Sequence, residues 1–284
     1  MPSLLPQISH LIDRFSSYQE ANGKSKETIR SYCSDIGLAI SKLDKEKFSD
    51  LDDLINSIAL AINSKKNGIS ERTITRKMSA LNGFSKYLFS QGIIKEPHIF
   101  PNPRREHSYI ENRPINDEEF HLLLDSVRPT SFNNLRFRAM TSLIYGAGLS
   151  SGEVSNVLYT HLIKENEEPQ AINVIDGSFN GRIVGLENEV SKELKEYDYS
   201  YQKILDRSEY LFLNKFGEKL TSRALRNDFI KFKKKSGIDF KLSLTSLRFG
   251  YAKRLKDEGY SKSQIAHNMG LENGQYVEKL IKIL

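Results

Sequence analysis

The stretch Leu143-Ile144-Tyr145-Gly146-Ala147-Gly148-Leu149-Ser150-Ser151-Gly152-Glu153-Val154 decides how this chain folds. An apolar helical segment starting near Asn134 runs into it and stops at Gly146-Ala147-Gly148, because glycine past a helix end accepts the left-handed backbone that terminates the helix. Ser150 followed three residues later by Glu153 is a capping box, each side chain accepting a backbone N–H that the new helix leaves unpaired. The stretch therefore reads as a helix, an abrupt stop and a fresh helix over about Ser151 to Val157.

Toward the N-terminus, Asn116 and Glu119 form another capping box, with Phe120, Leu123, Leu124 and Val127 on one helical face. Ahead of it lie Pro97, Pro101, Pro103 and Pro114, which interrupt any helix. Arg104, Arg105 and Arg113 add charge, and residues 101–115 read as a linker. Residues 1–100 read as a helical domain and 116–284 as a second domain. In the first, Leu4, Leu5, Ile8, Leu11, Ile12 and Phe15 line one face, and Gly23 closes that helix. Ser25 caps a second helix, and Ser49 and Asp52 open a third. Ser70 caps a fourth, whose apolar face is Ile74, Met78, Leu81, Phe84 and Leu88. Arg72 and Arg76 fall about 200° from Ile74 and point outward, with Thr73, Thr75 and Lys77 beside them. Such a stripe is either the solvated face of a core helix or a surface for an acidic partner.

Toward the C-terminus, Ala171–Ile175 and Arg182–Leu186 read as strands joined through Asp176-Gly177 and Asn180-Gly181, a small antiparallel hairpin. A helix follows from 189 to about 197. Tyr210-Leu211-Phe212-Leu213 is a short buried segment. Thr221 caps a helix reaching Lys235, another spans about Thr245 to Glu258, and Ser261 with Gln264 caps the next. On the 221–235 helix the apolar set is Ala224, Leu225, Phe229 and Phe232. This leaves Arg223, Arg226, Lys231, Lys233, Lys234 and Lys235 off the apolar face, free to meet an acidic partner.

The chain has 284 residues, enough for two domains, with 38% hydrophobic and 27% charged residues, values of a globular protein. Lys and Arg outnumber Asp and Glu by 42 to 36, and the pI is about 9.1. That balance permits nucleic-acid binding without requiring it. Cys33 is the single cysteine, so neither an internal disulfide nor a thiolate metal site is available, and it reads as a buried small hydrophobe. His267 has no partner in sequence that suggests a metal. No apolar run is long enough to span a membrane, and the N-terminus lacks the pattern of a signal peptide. The expected location is cytoplasmic, with the nucleoid.

In order and spacing these pieces resemble the tyrosine recombinases, or phage-type integrases, across nearly the whole chain. Residues Ser70–Ile74 through Phe84–Leu88 look like their core-binding domain. Leu143–Leu149 with Gly152-Glu153-Val154 looks like their first box, and Arg182–Leu186 like the end of their hairpin. Tyr210–Leu213, Gly217 and Leu220-Thr221 match the next landmark. Thr245-Ser246-Leu247-Arg248 and Met269-Gly270 fall where the second box lies. The implied fold is mainly α: a helical, SAM-like core-binding domain, then a catalytic-like domain rich in helices with a small antiparallel sheet.

The resemblance implies a chemistry in which a tyrosine hydroxyl attacks a backbone phosphate, two arginines clamp the phosphate, histidines assist, and a hairpin lysine protonates the leaving oxygen. No cofactor or metal is implied. Here the first arginine position is Ser150, and the hairpin lysine position lies near Gly177 and Ser178. The first histidine position is Thr245, and the position after Met269-Gly270 is Leu271. Arg248 matches the second arginine; it can pair with Glu153 or hold a phosphate. The tyrosine position is Leu280, and Tyr276 lies four residues early.

Removing one preorganised donor commonly lowers rate about 10²–10³-fold. The leading expectation is therefore a protein that binds double-stranded DNA without cleaving it, as an architectural factor, a regulator, or a partner of itself or another recombinase. The expected contacts are Arg72, Thr73, Arg76, Lys77, Arg104, Arg105, Arg223, Arg226, Lys231 and Lys234. One alternative is an active recombinase using Tyr276 with Arg248, and Arg182 or Lys215 near the phosphate. Another is an interaction scaffold that has left DNA.

Overall fold

The computed structural model describes residues 4–43, 50–63, 68, 70–101, 113–176, 179–202, 208–238 and 241–271. The chain divides into two compact units, residues 1–108 and 109–284.

In the first unit, α1 (Leu4–Ala21), α2 (Lys26–Ser41), α3 (Leu51–Asn63) and α4 (Glu71–Ser90) surround one apolar core. The three- and four-residue spacing of Ile8, Leu11 and Phe15 places them on one side of α1, where Phe15 meets the Phe84 ring of α4 edge-on at 5.3 Å. Ser25 and Ser70 cap α2 and α4 as their sequences predict. At α3 the predicted start needs correcting. Asp50 Oδ1 accepts the Asp53 N–H at 2.8 Å, so Asp50 supplies the capping oxygen and Asp52 is already helical; Ser49 lies outside the described residues.

The second unit runs α5 (Asp117–Asp125), α6 (Phe132–Gly146), α7 (Ser151–Asn156), β1 (Leu162–Glu165), β2 (Glu168–Asp176), β3 (Phe179–Gly185), α8 (Asn188–Gln202), α9 (Ser222–Ser236), α10 (Leu244–Asp257) and α11 (Lys262–Asn268). Its core draws on all three strands and on α5 to α10. The architecture is mainly helical with one three-stranded antiparallel sheet in the order β1-β2-β3. The sequence reading finds only the hairpin of β2 and β3. The strand β1 is four residues long, carries Lys164 and Glu165, and shows no alternation that separates it from a loop. Its place is fixed by pairing, Leu162 opposite Ile172 and Ile163 opposite Ala171. The helix predicted over 189–197 also runs further, to Gln202.

Register decides what the sheet buries. Ile172 pairs with Val184 and Val174 with Arg182. Side chains alternate faces along a strand, so Arg182 shares the inner face with Val184, whereas Ile183 between them is 67% exposed. The sheet thus delivers a guanidinium into the unit's interior.

The quoted 143–154 stretch folds as its sequence dictates. Gly148 has φ +67°, and a Cβ there would lie 2.4 Å from Cδ1 of Tyr251 on α10. Both the left-handed backbone and the close approach of α10 demand glycine.

Candidate nucleic-acid interface

The capping box at α7 is formed in both directions. Glu153 N–H donates to Ser150 Oγ at 3.1 Å, and Ser150 N–H donates to Glu153 Oε2 at 2.6 Å. Ser150, at the position where the resemblance implies an arginine, thus has its hydroxyl committed to starting a helix.

The remaining oxygen of Glu153 takes up the charge delivered by β3. Arg182 Nη1 donates to Glu153 Oε1 at 2.5 Å, with the two side chains 1% and 7% exposed. Arg182 Nε donates to the Asn268 carbonyl at 2.9 Å. Gly270 closes over this pair, since a Cβ there would lie 2.4 Å from Arg182 Nη1. Arg248, on α10, stands at the rim. Its Nε donates to the Gly148 carbonyl at 2.9 Å, its Nη2 to the Met269 carbonyl, and Nη2 lies 4.0 Å from Glu153 Oε2. Glu153 therefore pairs first with Arg182 and only at longer range with Arg248, the partner its sequence suggests. Burial alone would raise the Glu153 pKa. The hydrogen bond and charge of Arg182, the Ser150 N–H and the charge of Arg248 outweigh it, and the net shift is downward. The site is a buried ion pair with a second guanidinium on its edge.

Around this centre, Thr245 is exposed on the first turn of α10, three residues before Arg248. Leu271 packs against the cluster of Phe249, Tyr251, Ala252, Leu255, Ile265 and Met269. Lys215 lies over the ring of Phe216 at 4.8 Å. Gly177, Ser178, Tyr276, Leu280, Arg104 and Arg105 lie outside the described residues. Among the described residues no cluster of three metal-ligating side chains occurs, and no helix is long and apolar enough to cross a membrane.

Two basic surfaces lie elsewhere. On α9, Leu225, Phe229 and Phe232 are buried, with Phe232 4.4 Å and Phe229 6.3 Å from the Phe137 ring of α6. Buried Arg136 of α6 grips Asp228 at 2.8 Å and the Leu213 carbonyl at 2.6 Å. These contacts fix the helix rotation and leave Arg223, Arg226, Lys231 and Lys234 exposed. Ile230 is also exposed, at 57%, on the same side.

On α4, Arg72 is exposed, Thr73 and Lys77 are half-buried, and Thr75 is buried. A groove of about 380 Å³ is lined by Tyr32, Arg72, Thr73, Thr75, Arg76 and Ser79. Arg76 crosses to α2, where Nη1 donates to Ser31 Oγ and lies 2.6 Å from Asp35 Oδ2. Asp35 is 5% exposed. Burial pushes its pKa up, and the charges of Arg76 and then Lys77 offset this only in part. The sequence shows Arg76 as an outward cation; its tie to an acid forty-one positions away on α2 depends on helix packing.

Two helical units, the second carrying a three-stranded sheet and an arginine-lined centre, define a class that comparison with known proteins makes specific. The model of the phage integrase family matches residues 113–280, and that of the phage integrase N-terminal SAM-like domain matches residues 12–92. The chain belongs to the phage integrase family. It is 28% identical over 242 residues to tyrosine recombinase XerC of Leptospira interrogans, covering 83% of this chain and 76% of that protein. It is 24% identical over 270 residues to tyrosine recombinase XerA of Pyrococcus horikoshii, covering 93% and 86%. In fold it is similar to a lambda integrase dimer bound to a COC' core site, with TM-score 0.69 at 16% identity over 96% of this chain and 94% of that one. The pre-cleavage complex of the XerH site-specific recombinase on difH is similar too, with TM-score 0.69 at 17% identity over 95% and 90%.

Proposed function

We propose that this chain binds double-stranded DNA through both units and does not cleave it. In this reading residues 1–100 are the core-binding domain, 101–115 the linker and 116–284 the catalytic-like domain, and the protein works with the nucleoid in the cytoplasm. The observation that carries the loss of cleavage is the commitment of the central groups. Ser150 caps a helix where the resemblance implies a phosphate-clamping arginine, and Arg182 is sealed against Glu153. Arg248 directs two donors at backbone carbonyls. A phosphate clamp needs guanidinium forks open to the phosphate. Binding is supported by the exposed cations of α9 and α4 and by family membership. The role is that of an architectural factor, a regulator, or a partner of a second copy or another recombinase.

The test combines a gel-shift salt titration with a nicked suicide substrate. Affinity should fall with salt at about 0.9 log unit per log unit for each phosphate neutralised, with no covalent adduct on the nicked duplex. A covalent adduct lost in Tyr276→Phe overturns the reading in favour of an active recombinase. Salt-insensitive or absent duplex binding overturns it in favour of an interaction scaffold.

A further inference from the structure

The cations of the α4 surface are not equivalent. Among the described residues Arg72 and Lys77 make no side-chain hydrogen bond or salt bridge, Lys77 acting on Asp35 only through its charge, whereas Arg76 is held by two groups of α2, Ser31 and the buried Asp35. Both contacts use one nitrogen, Nη1. The side chain remains 44% exposed, and Nε with Nη2 has no partner among the described residues. Those two nitrogens present parallel N–H donors in one plane, the spacing that matches the O6 and N7 acceptors on the major-groove edge of guanine. A mobile arginine meets a phosphate equally well, since a phosphate contact tolerates many approaches. A buttressed one favours a target that demands a fixed plane.

We infer that Arg76 is a guanine-reading residue for duplex DNA, with Asp35 and Ser31 as the positioning residues that fix its guanidinium plane. The inference rests on the proposal that α4 faces DNA and adds which side chain reads sequence. Arg72 and Lys77 contribute phosphate contacts, which set affinity and carry no sequence information. The groove beside Arg76, walled by Tyr32, Thr73, Thr75 and Ser79, gives the neighbouring base edge polar and methyl surface to lie against.

The experiment is selection from a duplex pool with a randomised segment, using the full chain as wild type, Arg76→Lys, Arg76→Ala and Asp35→Asn, each checked for an unchanged circular dichroism spectrum. Wild type should enrich a motif with a required guanine. Arg76→Lys keeps the charge and loses the fork, so discrimination at that one position should fall roughly 10- to 100-fold with other positions retained. Asp35→Asn should relax the same position. Replacing that guanine with 7-deazaguanine should weaken wild type and leave Arg76→Ala unchanged. If Arg76 only ties α2 to α4, or only meets a phosphate, the variants shift melting temperature or uniform affinity while the motif survives, and the inference is overturned. A wild-type motif with no guanine requirement, or no motif, overturns it as well while duplex binding stands. Failure of wild type to bind any duplex refutes the reading of α4 as a DNA surface itself.

Discussion

Glu153 anchors a buried ion pair of the second unit, and its burial allows the effect of its loss to be sized. Glu153→Gln keeps an oxygen for the Ser150 N–H and removes the charge, leaving Arg182 buried at 1% side-chain exposure beside a neutral amide. Breaking a buried pair by removing one partner costs about 3–5 kcal/mol, because the remaining charge is desolvated without compensation. Glu153→Ala also removes the bond to Ser150, about 1 kcal/mol more. For a unit of this size 1 kcal/mol moves the melting temperature by about 2–4 °C. Glu153→Gln should therefore lower the second unit's Tm by about 6–20 °C, and Glu153→Ala by somewhat more. Differential scanning calorimetry, which separates the transitions of two units, is the assay. The double variant Glu153→Gln with Arg182→Met removes both charges and should recover to within about 1–2 kcal/mol of wild type, since apolar replacement of a buried pair is often neutral. A Glu153→Gln shift smaller than about 2 °C, or a double variant no better than the single, would refute the claim that this ion pair is sealed from solvent.

Gly148→Ala places a side chain at φ +67° and against the Tyr251 ring; a loss of about 2–4 kcal/mol is expected in denaturant titration, combining backbone strain with overpacking. The two buried acids should oppose each other in pH dependence. Glu153 sits below its ordinary 4.5 in the folded state, so its stabilisation is complete above pH 4.5 and is lost as pH falls through the lower folded value. Asp35 sits above its ordinary 3.8, so its charged form costs stability at neutral pH and that cost is relieved as pH falls through the raised value. Calorimetry on Glu153→Gln and Asp35→Asn should flatten the corresponding slope in the second and first unit respectively. Converting Arg223, Arg226, Lys231 and Lys234 together to Gln should reduce the salt slope of duplex binding by about 0.9 for each phosphate no longer neutralised, with the fold unchanged because all four are exposed; an unchanged slope would remove α9 from the interface.

What was legible in the sequence follows from how local the determinant is. Caps and stops are short-range, so Ser25, Ser70, Asn116, Ser150, Thr221 and Ser261 mark their helices with the hydrogen bonds the structure shows. Apolar spacing of three and four places α4 and α9 with the buried faces their sequences give. The short strand β1 was not legible, because four residues with two charges acquire their conformation from pairing with β2. At the centre, the cap formed by Ser150 and Glu153 was legible, but the second partner of Glu153 was not. The signal was present, since alternation along β3 puts Arg182 two residues from buried Val184 on the inner face. It needed the register of the sheet to show that this face meets α7. The tie between Arg76 and Asp35 is longer in range still: nothing in either helix alone indicates it.

On the proposed function, the distribution of basic side chains separates affinity from chemistry. Strand transfer in this family's manner requires cations converging on one phosphate, and in this chain the cations of that centre converge on Glu153 and on the carbonyls of Gly148, Asn268 and Met269. Each such bond engages a guanidinium donor internally and lowers what a phosphate would gain by replacing it, although Arg182 Nη2 is buried without a hydrogen-bond partner among the described residues. The exposed cations of α9 have no such internal demand, because Arg136 and Asp228 anchor that helix from beneath. A duplex can therefore lie across the outer surfaces without the centre being rebuilt, and substitutions at Arg182 should act on stability, whereas substitutions on α9 should act on the salt dependence of binding. A phosphate could engage Arg182 by displacing Glu153 from it, which would also withdraw the carboxylate from the Ser150 N–H. The helix cap at α7 and the ion pair share one carboxylate, so on the proposed function they would have to open together before Arg182 could turn to a phosphate.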